Sequence, residues 1–242
     1  MKDIHLVIIL FITSLLIVGC GSDDSNETSV DTNRVTEFKF FPPGFFVAGY
    51  REEFNFNGIR QRTDTNEQTD TFTNTPVIIT QPEDVFNLTS TIPILSNGEI
   101  GFDDGSSTPV SVTQYFTITG DDRRFIGSVT ILFGITTTTT ATSTTAIPET
   151  VTIGSSGEVG RYIDNFGQVI VISWDLEDAG NNQAQLTWTT RTLSATDNSI
   201  LSSGEDVSII DTNGNRLSKS IRVEFFNLTP NLLDTWAGTK IP

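Results

Sequence analysis

The chain has 242 residues and a formal net charge of −16, from 14 basic against 30 acidic side chains. Charge of that sign and size repels nucleic-acid phosphates and anionic headgroups, so nucleic acid is excluded as a partner. The only cysteine, Cys20, and the only histidine, His5, lie at the extreme N-terminus, which leaves the rest without Ser-His-Asp or Cys-His catalysis, Cys/His zinc sites or an internal disulfide.

Leu6 to Val18 is an apolar run of thirteen residues, interrupted only by Thr13 and Ser14. A spanning helix needs roughly 20 apolar residues, whereas the core of an export signal needs about 7–15. The length predicts an export signal over 1–19. The run ends in Leu16-Ile17-Val18-Gly19-Cys20, which resembles the lipobox of bacterial lipoproteins. The resemblance implies cleavage between Gly19 and Cys20 and a diacylglycerol thioether on Cys20. The mature protein would then be anchored through two or three acyl chains, such as palmitate, rather than span the membrane. Residues 21–34, GSDDSNETSVDTNR, hold almost nothing apolar and predict a disordered tether. Ser22-Asp23-Asp24 is similar to the acidic export signal of some surface lipoproteins. Ser22 also stands where an aspartate would retain a lipoprotein in the inner membrane. The expected location is the cell envelope, on the outer membrane.

From residue 35 onward the apolar spacing is that of strands. FKFFPPGFF (38–46) holds five phenylalanines in nine residues. It reads as a first strand packed into the core, with Pro42-Pro43-Gly44 as its turn; the alternative is an exposed aromatic patch. Strands are expected near 50–63, 69–80, 84–94, 109–119, 124–135, 138–153, 158–163, 168–176, 183–194, 199–210 and 216–226. Alternation is clearest in Val110-Val112-Gln114-Phe116-Ile118, in Val129-Ile131-Phe133 and in Ile170-Ile172-Trp174. Asn97-Gly98, Asp104-Gly105 and Asn213-Gly214 read as turns, the last as a two-residue hairpin turn with positive φ at both positions. Internal similarity, such as RRFIGSVTILF at 123–133 against NRLSKSIRVEF at 215–225, would, if it marks a duplication, divide the chain into two β modules, 35–135 and 149–242; a single β domain is the alternative. The Thr-rich stretch 136–148 between them is a strand or a linker, with strand preferred because Thr suits a pleated surface. The fold class expected is all-β and antiparallel, its hairpin-linked strands forming a sandwich or barrel.

No local signature selects catalytic residues, a cofactor or a firm metal site. Asp211-x-Asn213-x-Asn215 begins like a calcium loop, but Arg216 replaces the glycine and Arg222 the closing glutamate of that pattern. Asx-turn chemistry explains these residues without a metal. Trp174, Trp188 and Trp236 are candidates for stacking on sugar rings, but Trp174 and Trp188 sit in alternating strands and read as core residues. The sequence therefore points to a membrane-anchored, non-enzymatic envelope protein that binds an unidentified protein or carbohydrate partner or serves a structural role. The alternatives are a carboxylate-based glycoside hydrolase and a lipid-carrying β-barrel.

Overall fold

The computed structural model describes residues 35–119, 122–226, 228 and 230–242. Gly19, Cys20 and the tether lie outside the described residues. Among the described residues sixteen strands follow one another with no helix: β1 (Glu37–Lys39), β2 (Arg51–Arg62), β3 (Gln68–Asn74), β4 (Val77–Thr80), β5 (Asp84–Phe86), β6 (Thr89–Phe102), β7 (Ser107–Thr119) and β8 (Asp122–Leu132) in the first half. The second half holds β9 (Ile135–Thr144), β10 (Thr150–Thr152), β11 (Ser156–Asp164), β12 (Val169–Gly180), β13 (Gln183–Leu193), β14 (Ile200–Ile210), β15 (Arg216–Phe225) and β16 (Leu232–Lys240).

Twelve of these close into an antiparallel barrel in the order β2–β3–β6–β7–β8–β9–β11–β12–β13–β14–β15–β16. The seam is β16 against β2, running from Leu232 opposite Arg62 to Lys240 opposite Phe54. Pro76 cannot donate to a ladder, and it interrupts the wall between β3 and β4. Beyond it β4 continues the wall, paired with both β2 and β6. The Thr-rich tract is the wall strand β9, bonded to β8 and β11. Strands from 35–135 and from 149–242 thus share one barrel wall, joined through β9.

Inward and outward faces alternate as the sequence pattern requires. Val110, Val112 and Phe116 point inward and are buried, while Asn55, Asn57, Thr136 and Glu177 are exposed on the outside. A membrane-spanning barrel carries an apolar band outward; this wall has the reverse polarity. In β8 the parity shifts. A bulge sets Gly127 opposite Tyr115 but Phe125 opposite Phe116. One extra residue moves all later side chains to the other face. Ser128, Thr130 and Leu132 are therefore buried, and Ile131 is exposed.

The turns correct two expectations. Asn97-Gly98 lies inside β6, paired with Ser111 and Val110 of β7. At Asn213-Gly214 only the glycine has positive φ, +77°. The loop is instead organised by Asp211, whose Oδ1 accepts from the backbone N–H groups of Asn213 and Asn215 at 2.9 Å. Two-residue turns with both residues left-handed occur instead at Asn87-Leu88, Phe133-Gly134 and Asn181-Asn182, the last with φ of +53° and +58°. Strand β16 was not anticipated: an interior glycine and a charged residue at each end break its apolar pattern.

The FKFFPPGFF segment closes one end of the barrel. Phe45 N–H donates to the Pro42 carbonyl at 3.1 Å, and Gly44 takes φ +78°, the turn that Pro-Gly favours. Lys39 N–H bonds the Thr212 carbonyl and Phe40 N–H the Glu149 carbonyl, so the segment is tied to the β14–β15 turn and to the lead-in of β10. Phe38 and Phe40 are 1 % exposed. The Phe40 ring meets Trp174 and Trp188 edge-on at 5.1 and 5.3 Å.

Large inward aromatics sit opposite glycines across the strands. Trp236 pairs with Gly58, Phe56 with Gly238, and Trp174 with Gly157. A Cβ on Gly238 would stand 2.3 Å from the Phe56 ring, and Phe56 is 2 % exposed with nowhere to retreat. Gly238→Ala is expected to destabilise the fold by about 1–3 kcal/mol, the usual cost of overpacking. Thr239→Ala, on the exposed side of the same strand, should leave the urea midpoint nearly unchanged. Equal midpoints for both variants would refute the pairing argument.

Candidate functional site

Barrel diameter grows with strand number. About eight strands give an interior that side chains just fill, and sixteen or more leave a channel. Twelve strands fall between. The plug and the wall aromatics fill part of this lumen, and a cavity of about 150 Å³ remains. A core cavity of roughly that volume accepts one benzene ring.

The cavity is mostly apolar along its length, with Asn74, Ser96, Gln114 and Ser208 as polar points in the lining, and charged at both ends. Phe56, Phe72, Ile100, Val112, Phe116 and Trp236 are among its walls, with Trp236 stacked on Phe72 at 5.1 Å. Phe41 and Phe45 of the plug close one end, and Trp188 and Phe116 abut them. The far rim is lined by half-buried Phe102 and Phe133. Phe133 has φ +51° as the first residue of the two-residue hairpin turn it forms with Gly134 between β8 and β9. Just inside the rim, Arg60 grips Asp234 in a bidentate pair at 2.6 and 2.7 Å and lies over the Phe72 ring.

The floor at the plug end gathers five charged side chains from four strands. Glu52 of β2 is buried and accepts from Arg216 of β15 at 2.6 Å and from Lys240 of β16 at 2.9 Å. Burial alone would raise its carboxyl. The Arg216 charge and the Lys240 contact outweigh that and hold it at about 2. The Arg216 guanidinium also lies 4.8 Å over the Phe45 ring, tying the floor to the plug. Lys219 of β15 and Asp206 of β14 face each other more loosely: Nζ and Oδ1 are 3.9 Å apart, beyond hydrogen-bond distance. Burial pushes Asp206 up to about 7 and pulls Lys219 down to about 7. Each opposes the shift in the other, whereas the two cations on Glu52 keep it ionised.

The sequence candidates lie elsewhere. Asp211, Asn213 and Asn215 occupy the β14–β15 turn, where both Asp211 oxygens are engaged by the turn itself, Oδ2 by the Asn215 amide at 2.8 Å. That geometry is an Asx turn and brings no second carboxylate to the loop. Of the three tryptophans, Trp174 and Trp236 are buried in the core, and half-buried Trp188 packs against it. The floor and rim charges were missed, although a signal existed. Glu52 shares the parity of Phe54 and Phe56, Lys219 that of Ile221 and Val223, and Asp234 that of Trp236. A charge on the apolar parity of a strand marks an inward-facing polar group.

The fold is thus a closed twelve-stranded antiparallel barrel with a plugged, aromatic-lined lumen. Comparison with protein-family models, with curated proteins and with solved structures returns no match.

The Glu52 cluster generates a pH prediction. Its carboxyl titrates at about 2 folded against an ordinary 4.5, so its contribution is complete above about pH 4.5 and is lost as pH falls through 2. By linkage that contribution is on the order of 3 kcal/mol. Urea midpoints measured between these two values should fall steeply in the native protein and less steeply in Glu52→Gln. Identical slopes would show that Glu52 is not held ionised.

Proposed function

We propose that the protein is a lipid-anchored, non-enzymatic binding barrel of the cell envelope that holds a small, mostly apolar molecule in its lumen. The observation that carries the reading is the aromatic-walled cavity of about 150 Å³ inside a closed, outwardly polar barrel. Sites for small molecules are concave and mainly apolar, with a few placed polar groups; here those groups are the floor and rim charges. The cavity suits a ring-sized ligand better than a diacyl lipid. A carboxylate hydrolase has less support, since Asp234 and Glu52 are each clamped by two cationic nitrogens. The lipobox resemblance at Leu16-Ile17-Val18-Gly19-Cys20 supports the anchor.

The cavity is tested with toluene on full-length protein in phosphatidylcholine vesicles. A ligand of the folded state raises the thermal midpoint by mass action. Toluene should raise it in the native protein and not in Val112→Trp or Ser96→Phe, which add rings to the cavity wall. No toluene effect on the native protein would overturn the lumen reading. The anchor is tested separately. Cys20→Ser should lose metabolic fatty-acid labelling and leave the membrane fraction; persistent labelling would place the lipid elsewhere.

A further inference from the structure

We infer that the lumen ligand carries one carboxylate, which seats on the cavity floor against Lys219 and Arg216. The inference rests on the reading of the lumen as a binding site and adds the chemistry of the ligand. Three observations support it.

The first is charge. The chain as a whole carries −16, yet the cavity floor is lined by two cations, Arg216 and Lys219, against one carboxylate, Asp206. Glu52 balances Arg216 from behind the lining and is also met by half-exposed Lys240. The floor thus presents more cationic than anionic groups to the lumen, the arrangement that a ligand anion fits.

The second is geometry. Glu52 is saturated by Arg216 and Lys240 at hydrogen-bond distance, but Lys219 has its carboxylate only at 3.9 Å. The Lys219 ammonium also lies 5.5 Å over the Phe54 ring. It lines the cavity together with Arg216 and Asp206, so an incoming carboxylate reaches it without dismantling the Glu52 cluster.

The third is polarity along the cavity. Mostly apolar wall separates this floor from the rim pair Arg60–Asp234, whose charges satisfy each other bidentately. An amphipathic acid entering head-first at the rim passes a neutral pair, buries its apolar body against Phe56, Phe116 and Trp236, and meets the loosely matched Lys219 ammonium beside Arg216 at the end. A neutral molecule of the same shape would gain nothing from that ammonium.

The groups facing Lys219 are Asp206, Arg216 and Glu52, and Lys240 completes the cluster on Glu52. Burial and Arg216 disfavour the Lys219 proton; Asp206 and Glu52 favour it. A bound carboxylate adds to the second set, so binding draws a proton onto Lys219.

The experiment uses full-length protein in phosphatidylcholine vesicles. Phenylacetate and hexanoate are titrated against their neutral counterparts phenylacetamide and hexanol, with tryptophan fluorescence as readout, since Trp188 and Trp236 line the cavity. At least one acid should bind about tenfold or more tightly than its neutral counterpart, and whether it is the ring or the chain identifies the apolar body. Acid affinity should fall as pH rises above about 7, and Lys219→Met should lose both the preference and the pH dependence. Should Lys219→Met fold poorly with Asp206 orphaned, the double variant Asp206→Asn/Lys219→Met removes the pair together and should bind acid and neutral forms alike. Equal affinity of acids and neutral forms in the native protein, with toluene still shifting the midpoint, overturns the carboxylate inference and leaves the lumen reading standing. Failure of toluene and of all four probes overturns both.

Discussion

The width of a twelve-strand barrel is the constraint from which the rest of this structure follows. A wall of that circumference encloses more space than its own alternate side chains fill, and an empty apolar lumen forfeits the dispersion contacts that a packed interior supplies. The chain fills the space with aromatics. Those on the wall fit because glycines stand opposite them, as Gly58 does beneath Trp236 and Gly238 beneath Phe56. Those at the closed end come from a segment outside the barrel, whose Phe40 wedges between Trp174 and Trp188. Gly214 belongs to the same solution. Its φ is +77°, and a Cβ there would stand 2.6 Å from the Lys39 carbonyl. The β14–β15 turn must therefore stay bare for the plug to seat.

The charged floor is the polar counterpart of that plug. Burying ions is expensive, and the expense is offset only where hydrogen bonds are complete. Glu52 meets the condition with two cationic donors, and Arg216 lies over Phe45 as it bonds Glu52. Plug position and floor electrostatics are thus one arrangement: a shift of Phe45 would loosen the guanidinium that holds Glu52. Lys219 and Asp206 are left incompletely matched beside a well-satisfied cluster. A loosely matched buried pair next to a fully matched one is what a site looks like when the packing serves something besides stability.

The strands were legible because a half-buried wall imposes a period of two, which Val110, Val112 and Phe116 display with only Gln114 polar on the inward parity. Bulges hid the rest. In β8 the glycine at 127 inverts the parity, so the apolar Val129 and Ile131 face away from the lumen while Ser128 and Thr130 enter the core. No single-strand pattern contains that information, because a bulge is a relation between two strands. Turn chemistry was read correctly in kind and misplaced in position. Asn-Gly promised a two-residue turn, but Asp211 captured the backbone donors first, and left-handed pairs formed at Asn87-Leu88, Phe133-Gly134 and Asn181-Asn182. The cavity was not readable at all, since it depends on how twelve strands close. Its charges were readable, because Glu52, Lys219 and Asp234 each interrupt an apolar parity.

The position of the N-terminus gives the cavity a direction. Val35 N–H reaches the Asn182 side-chain oxygen at 3.4 Å, and Asn182 belongs to a turn at the plugged end. The chain therefore enters the barrel beside the plug, at the end opposite Phe102 and Phe133. Under the proposed attachment at Cys20, fourteen residues separate the lipid from the barrel, a contour of at most roughly 50 Å. They join the barrel at its closed end, so the rim at Phe102 and Phe133 is the end remote from the junction. Under that proposal a molecule entering at the rim reaches the lumen without passing the plug or the point where the anchor joins, and the charged floor meets it last.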